Sequence, residues 1–313
     1  MVTKVRQQGG SAGPTGRQFV LRDESGRVGA TVAQVGASLR RLSVDGVELI
    51  PPYPQDAATP GASGVVLVPW PNRIRDGMWT QRGQTRQLAI SEPALNNASH
   101  GLLRFTPYLL RESRPGSVIL TADVYPQTGY PFHLSTHVGY TVTANGITVT
   151  HTISNAGATP APVALGTHPY LMVGGVPTQD LVVRSSGSHR FVVDAQLVPV
   201  EIVPVDGSTD LRQGRRLGDV TLDTAYSGLT RDAGGRICHT LKAPDGRTVT
   251  LWQGPGFDYA QIFTTDRYPG QRLAVAIEPM TAPADAFNSG RGLRWIESQE
   301  TWSLTWGIEL ART

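Results

Sequence analysis

The sequence of 313 residues predicts an all-β protein built as one large antiparallel β-sandwich. Short runs rich in Val, Ile, Thr and Tyr recur along the chain, among them GITVTHTISN, DLVVRSS, HRFVVDA and RTVTLWQ. The 35 glycines and 23 prolines punctuate these runs, as turn residues separate strands. Helical periodicity is scarce, and we expect at most one helical turn, around residues 210–217.

Hairpin turns support the same fold class. Asp45-Gly46, Asn145-Gly146 and Asp245-Gly246 each lie between segments that favour strands, and such dipeptides are typical of two-residue hairpin loops. The chain contains no charge block, low-complexity tract or fixed-period repeat that would divide it. We therefore expect a single domain over residues 17–313, preceded by a flexible lead-in over residues 1–16.

Composition excludes several classes of function. The net charge is +3, but the basic residues are scattered and form no run that would indicate a nucleic-acid partner. The single cysteine, Cys238, excludes an internal disulfide framework and favours a reducing compartment. The polar N-terminus lacks the apolar core of a signal peptide, and no apolar run approaches the roughly 20 residues that span a bilayer. We expect a cytoplasmic protein without a membrane partner.

The stretch RLAVAIEPMTAPADAFNSG places an acid at the end of an apolar strand. Because side chains alternate between the two faces of a strand, Val275 and Ile277 should point into the core. Glu278 should then share the opposite face with Ala274 and Ala276, whose small side chains leave space for a ligand pocket. A strand-end acid in a surface ion pair is an equally good interpretation of this segment alone.

The stretch VALGTHPYL repeats this arrangement with a histidine. Val163 and Leu165 share one face, and His168 follows two small residues on the other. A lone histidine at a strand end is more often structural than catalytic. A histidine and a glutamate that both follow small residues and precede proline favour catalysis, because general acid and base catalysis needs two such groups on opposite sides of a substrate.

Two further stretches contain candidate binding residues. In VLVPWPNRIRDGMW, two prolines around Trp70 force a turn, after which Asn72 and Arg73 offer several hydrogen-bond donors. Trp70 could stack on a sugar ring, although a buried structural tryptophan explains it equally well. In NNASHGLLRFTPY, His100 lies in a predicted loop, and loops on rigid β scaffolds often carry binding groups.

The sequence offers little support for metal or cofactor chemistry. His133 and His137 have an HxxxH spacing, but their segment is predicted to be a strand and lacks the HExxH pattern of zinc enzymes. His151, His189 and His239 are isolated, and we interpret them as structural or exposed. The chain contains no GxSxG elbow, P-loop or dinucleotide-binding motif. The remaining possibilities are acid-base chemistry without a cofactor, or binding without catalysis.

Taken together, these stretches resemble the aldose 1-epimerase (galactose mutarotase) family. The matching pieces are PWPNRIRDG, SHGLLR, GTHPYL and AVAIEPMTAPADAFNSG, with LDTAYSGL and FDYAQIFT as weaker support. They occur in the family's order between about residues 65 and 290. The resemblance implies a galactose mutarotase-like β-sandwich whose substrate, a small-molecule sugar, binds in an open cleft without a cofactor.

The resemblance also implies roles at the matching positions. It makes Glu278 the general base and His168 the general acid. The residues that it assigns to sugar binding are Asn72, Arg73, His100, Asp223 and Gln261. The implied reaction interconverts the α and β anomers of free hexoses such as glucose or galactose through an open-chain aldehyde. With ordinary pKa values, Glu278 would be ionised and would give the acid limb of the pH profile, and His168 would give the basic limb.

Two alternatives remain open from the sequence. A hexose-6-phosphate 1-epimerase would need a second cationic group facing the site, for which Arg75 is a candidate. A carbohydrate-binding protein without catalysis could share the scaffold, although it would have no need of a matched acid and base at Glu278 and His168. The oligomeric state is also open, and a homodimer is one option.

Overall fold

A computed structural model describes residues 13–311 of the chain. Within that range the chain forms 27 strands, one short α-helix and five 3-10 helices. The strands are β1 (Gln18–Arg22), β2 (Val28–Ala33), β3 (Leu39–Val44), β4 (Val47–Glu48), β5 (Val66–Leu67), β6 (Arg73–Arg75), β7 (Met78–Gln81), β8 (Gln84–Gln87), β9 (Asn97–Ser99), β10 (Leu109–Arg114), β11 (Ser117–Val124), β12 (Leu134–Thr143), β13 (Gly146–Asn155), β14 (Ala161–Val163), β15 (Gly166–Thr167), β16 (Tyr170–Leu171), β17 (Val182–Arg184), β18 (His189–Val193), β19 (Pro199–Pro204), β20 (Arg215–Arg216), β21 (Asp223–Ser227), β22 (Ile237–Lys242), β23 (Thr248–Gln253), β24 (Tyr259–Thr265), β25 (Ala274–Met280), β26 (Arg294–Ile296) and β27 (Thr301–Ala311). The helices are α1 (Ala286–Ser289) and the 3-10 turns Pro60–Ala62, Pro93–Leu95, Thr178–Asp180, Gly207–Thr209 and Leu217–Asp219.

Two large antiparallel sheets form the body of the molecule. The first has nine strands in the order β10-β11-β12-β13-β27-β23-β22-β17-β20. The second has eight strands, with β19-β18-β21-β24-β25-β15-β5 as its path and β16 paired with β25. Apolar side chains from both sheets pack in one core, and examples are Val138, Val149 and Ile308 from the first sheet and Ile262, Val275 and Ile277 from the second. The predicted β-sandwich is thus confirmed.

Alternating burial explains why these segments form strands. Strand β11 alternates strictly between partly buried and buried positions, and β13 does so over most of its ten residues. One face of each strand therefore reaches the core, as a half-buried strand requires. At the predicted Asp45-Gly46 turn, both residues adopt positive φ, 51° and 78°, as the favoured two-residue hairpin turns need.

Part of the sequence prediction was wrong. Residues 210–217 form no helical turn of the kind expected: the segment makes a turn and then strand β20, and a 3-10 helix begins at Leu217. The α-helix lies instead beyond strand β25, and residues 281–285 separate the two elements. The lead-in expected over residues 1–12 lies outside the described residues, and residues 13–16 form a turn closed by a bridge between Gly13 and Gly16. No helix within residues 13–311 has the length and apolar character needed to cross a membrane.

Candidate active site

Strand β25 has the predicted alternation of faces. Val275 and Ile277 belong to the main core, and the alanines point to the opposite side of the sheet. The reason that we gave for these alanines was wrong, however. They leave no open space, because Ala274 and Ala276 pack with the rings of Tyr170 and Tyr268 in a second, smaller cluster. The same face carries Glu278, whose exposed fraction is only 3%, and the strand continues past it to Met280.

His168 follows strand β15 and is held by its own backbone. Its N–H donates to the carbonyl of Val65 over 3.2 Å, and its carbonyl accepts from the N–H of Gly64 over 2.8 Å. Gly166, two residues before His168, allows close packing and does not open space for a pocket. A Cβ at Gly166 would lie 2.6 Å from the Cβ of Pro71. Gly166 therefore allows β15 to approach the loop that leads to Asn72.

The two titratable groups meet directly. The Nε2 atom of His168 lies 3.3 Å from Oε1 of Glu278, and both side chains are almost fully buried. The sequence had suggested an acid and a base on opposite sides of a substrate. The structure places them side by side on one wall, because β15 and β25 are paired neighbours in the eight-stranded sheet.

Burial moves the pKa values of the pair in opposite directions. Loss of hydration lowers the pKa of His168 to about 4. Loss of hydration also raises the pKa of Glu278 well above its ordinary range; the charge of Asp223 adds to this effect and that of Arg73 opposes it. The expectation of ordinary pKa values was therefore wrong. Burial favours a neutral imidazole beside a protonated carboxyl group.

Asn72 and His100 form a reciprocal contact between two loops. The N–H of Asn72 donates to Nδ1 of His100 over 3.2 Å, and the N–H of His100 donates to the carbonyl of Asn72 over 2.8 Å. Both residues have left-handed backbone conformations, with φ of 55° and 63°. Such conformations cost free energy and concentrate at functional sites. The next residue, Gly101, also has positive φ, and a Cβ there would lie 2.2 Å from the carbonyl oxygen of Val68.

Arg73 is fixed by a carboxylate that the sequence analysis did not identify. Its Nε and Nη2 atoms donate to the two oxygens of Glu92 over 2.8 and 3.0 Å, and Nη1 donates to Oδ1 of Asn72 over 3.1 Å. A two-point contact between guanidinium and carboxylate restricts both side chains. Arg73 is therefore held rigidly at the edge of the cleft.

Gln261 and Asp223 complete the wall that carries Glu278. Gln261 lies directly opposite Glu278 in the register of β24 and β25. Its side-chain amide donates to Oδ1 of Asp223 over 2.5 Å, from the neighbouring strand β21. Three adjacent strands thus present an amide and two carboxyl groups to the same space.

All seven residues predicted for the site line one cavity of about 360 Å³. Eight further residues of the lining were missed by sequence reasoning, and Glu92, Arg104, Tyr170 and Phe263 are the largest of them. Arg104 belongs to the SHGLLR motif and Tyr170 to the GTHPYL motif, so the motifs could have indicated both residues. Glu92 has no comparable motif, and its role is visible only from its contact with Arg73.

Two other candidates lie away from the cavity. Trp70 is buried, packs edge-on against Phe287 at 5.5 Å and donates to the carbonyl of Ala98, which supports its structural interpretation. Arg75 donates to Asp194 over 2.6 Å and to Gln196 over 2.7 Å. Arg75 is not part of the cavity lining and does not supply the second cation.

The remaining histidines show no metal site. The ring of His133 stacks on Tyr125, and His137 lies in strand β12, where its ring contacts Arg111. His151 and His239 are buried in the core. Within the part of the chain that the structure describes, no group of three or more His, Cys, Asp or Glu side chains is placed to hold a metal ion.

Galactose mutarotase-like proteins of known structure share this β-sandwich fold. The structure of such a protein from Clostridium acetobutylicum superposes with a TM-score of 0.82, at 17% identity, over 95% of this chain and 99% of the other. That of a galactose 1-epimerase from Lactobacillus acidophilus NCFM gives a TM-score of 0.79, at 17% identity, over 93% of each chain. At these identities the likeness concerns the fold.

The sequence itself defines the family. The chain belongs to the aldose 1-epimerase family, whose profile matches residues 17–309. It is also 31% identical over 288 residues to the uncharacterized protein YihR of Escherichia coli (strain K12), and the match covers 89% of each protein. The resemblance noted in the four motifs is thereby confirmed over nearly the whole chain.

Proposed function

We propose that this protein is an aldose 1-epimerase, an isomerase that interconverts the α and β anomers of hexoses by general acid and base catalysis without a cofactor. The observation that carries the proposal is the buried contact between His168 and Glu278 on the wall of a polar cavity. An acid and a base that face one cavity are what ring opening requires. Membership of the family supports the same reaction.

The reaction uses the pair once in each direction. The carboxylate of Glu278 takes the proton of the C1 hydroxyl, and Nε2 of the protonated His168 gives a proton to the ring oxygen. The bond between C1 and the ring oxygen breaks, and C1 becomes an aldehyde carbon. After rotation about the C1–C2 bond, Glu278 returns its proton to the aldehyde oxygen and His168 takes the proton of the attacking hydroxyl. The ring closes on the other face, and both groups regain their starting state.

The pKa shifts fit this sequence of steps. Ring opening converts an ionised pair into a protonated Glu278 and a neutral His168, the two forms that burial favours. The site therefore stabilises the protonation state of the open-chain stage relative to that of the closed ring. Since pairs of close titratable groups share their protons, the single proton of the pair can lie on either group before the sugar binds.

The other cavity residues provide binding groups of suitable chemistry. Arg73, restrained by Glu92, offers a fixed guanidinium to sugar hydroxyls. The amide of Gln261 and the carboxylate of Asp223 offer acceptors and a donor beside Glu278. The ring of Phe263 lies in the same lining and provides an apolar surface for the face of a pyranose.

Exchange between anomers tests this function directly. NMR magnetisation transfer between the anomeric protons of D-glucose or D-galactose should become faster when the protein is added. Glu278→Gln should lose most of this acceleration while it keeps the far-UV spectrum of the folded protein. Sugar binding without any faster exchange would contradict the epimerase and favour the alternative of a carbohydrate-binding protein.

A further inference from the structure

The segment that follows strand β25 contains an aspartate that the proposed reaction does not use. Asp285 belongs to the longest of the sequence motifs and directly precedes helix α1. Its φ is 58°, in the left-handed region that is unfavourable for residues with a side chain. Burial raises the pKa of its carboxyl group, and hydrogen bonds from Asn288 and from the backbone of Arg75 oppose this rise. A strained, partly buried acid persists only where specific contacts hold it.

The contacts of Asp285 converge on strand β6, which begins at Arg73. The N–H of Asp285 donates to the carbonyl of Arg73 over 2.6 Å, and Oδ1 of Asp285 accepts from the N–H of Arg75 over 3.1 Å. One residue therefore binds the backbone of β6 on both sides of Ile74. Strand β6 also pairs with β9, where Arg73 lies opposite Ser99. The backbone that carries Arg73 is thus held by two partners.

Asp285 is itself fixed by helix α1. Its carbonyl accepts from the N–H groups of Asn288 and Ser289 over 3.1 and 2.9 Å. The side-chain amide of Asn288 donates to Oδ1 of Asp285 over 2.7 Å and to the carbonyl of Met78 over 2.9 Å. Phe287, in the same helix, packs in the main core. The helix therefore anchors Asp285 to the body of the domain.

The chain between strand β25 and Asp285 is bonded to the segment that leads to His168. Thr281 donates its N–H to the carbonyl of Leu165 over 2.8 Å, and its Oγ1 accepts from the N–H of Leu165 over 2.9 Å. Leu165 directly precedes strand β15, and His168 directly follows that strand. One short segment thus connects the strands of the acid-base pair to the backbone of Arg73.

We propose that Asp285 is a positioning residue of the cleft, whose two backbone hydrogen bonds hold Arg73 at the correct distance from the acid-base pair. The proposal rests on the proposed epimerase function, in which Arg73 binds the sugar. Glu92 restrains the guanidinium end of Arg73, whereas Asp285 restrains the backbone from which the side chain extends. Both restraints matter, because a displacement of about 1 Å at a positioned group can lower a rate by about 10²-fold.

Three variants of the full-length protein separate the hydrogen bond from the backbone conformation. Asp285→Asn keeps an oxygen acceptor and a residue type that adopts positive φ, so its KM for D-glucose and D-galactose should stay within about 2-fold of the wild type. Asp285→Gly also adopts positive φ but lacks the acceptor, and its KM should rise about 5-fold to 10-fold, the usual effect of one hydrogen bond. Asp285→Ala adds backbone strain and should be impaired at least as much.

A double-mutant cycle with Arg73→Ala distinguishes positioning from a general structural role. If Asp285 acts through Arg73, Asp285→Gly should change KM by less than about 2-fold once residue 73 is alanine. The full rise of KM in that background, or wild-type kinetics in Asp285→Gly itself, would overturn the proposal.

Asp232→Gly is the matched control for loss of a loop aspartate. The Oδ1 atom of Asp232 accepts from the N–H groups of Gly234 and Arg236, each over 2.9 Å, and the residue lies outside the cavity lining. This variant should keep the wild-type KM. A rise equal to that of Asp285→Gly would show a general effect on the fold and would contradict positioning.

NMR of protein labelled with ¹⁵N at arginine makes the test independent of turnover. Arg73→Ala identifies the Nε–H resonance of Arg73, whose donor is bound to Glu92. Exchange of this proton with water should become about 10-fold faster in Asp285→Gly and stay unchanged in Asp285→Asn, because a lost hydrogen bond favours local opening. If no hexose is turned over, the epimerase function fails and this result still supports positioning. Unchanged exchange in Asp285→Gly refutes positioning even in an active enzyme.

Discussion

The burial of His168 predicts an imidazole that resists protonation. With its pKa lowered to about 4 by burial, His168 should be about 9% protonated at pH 5, where an exposed histidine is about 97% protonated. The difference between pKa values of 6.5 and about 4 corresponds to about 3 kcal/mol in favour of the neutral ring. Acidification through the ordinary range of histidine should therefore leave this ring unchanged.

NMR of protein labelled with ¹⁵N at histidine measures this state. The His168→Asn variant identifies the resonances of His168 by their absence. In wild-type protein these resonances should keep the ¹⁵N shifts of a neutral imidazole from pH 8 down to pH 5 and change only near pH 4. A His168 ring that titrates near pH 6.5 would refute the argument from burial.

On the proposed mechanism, the same pair should determine the pH profile of kcat/KM. The active form holds one proton on the pair, so activity should fall in acid as a second proton binds, and in base as the single proton is lost. Since His168 has the lowered pKa and Glu278 the raised one, His168 governs the acid limb and Glu278 the basic limb. This order is the reverse of that expected from ordinary pKa values.

Substitution checks the assignment of the two limbs. Glu278→Gln should remove the basic limb and His168→Asn the acid limb, and each should lower kcat/KM by about 10²-fold to 10⁴-fold, the usual contribution of a proton transfer. Circular dichroism of each variant controls for folding. A folded Glu278→Gln protein with nearly wild-type rates would contradict the mechanism as a whole.

Three further predictions follow from other contacts. Arg73→Ala should raise KM about 10-fold or more and leave Glu92 unpaired; unchanged steady-state kinetics would contradict a binding role. His151 accepts a hydrogen bond from Trp306, and burial lowers its pKa to about 3, so the stability that it contributes is lost as pH falls below 6.5. Urea unfolding should show that the loss of stability between pH 7 and 5 is about 2 kcal/mol smaller in His151→Gln than in the wild type. Dialysis against EDTA should leave the rate unchanged, and activity restored by zinc would contradict this.

The sequence was sufficient for the local part of the fold. Alternation along β25 correctly placed Val275 and Ile277 in the core and Glu278 on the other face, because period-two patterns depend only on neighbouring residues. The motifs also predicted seven site residues, and all seven line one cavity.

What the sequence could not show depends on contacts between distant segments. The rings of Tyr170 and Tyr268 cover the alanines of β25, and only the assembled sheet reveals that the expected space is filled. The contact of Arg73 with Glu92 joins residues 19 positions apart, and no short motif reports it. The pKa values of the acid-base pair likewise depend on burial by the whole domain, which the residue types alone do not indicate.

The division of the cavity between a sheet and two loops has a consequence for evolution and engineering. Glu278 and Gln261 belong to paired central strands whose opposite faces, with Ile277 and Ile262, pack in the main core. Arg104 belongs to a surface loop, beside the exposed Phe105. Selection can therefore change the residues of that loop, which line the cavity, while the strands that carry Glu278 and Gln261 stay as they are. Libraries that randomise residues 102–106 alone offer a direct route to new sugar specificities on this scaffold.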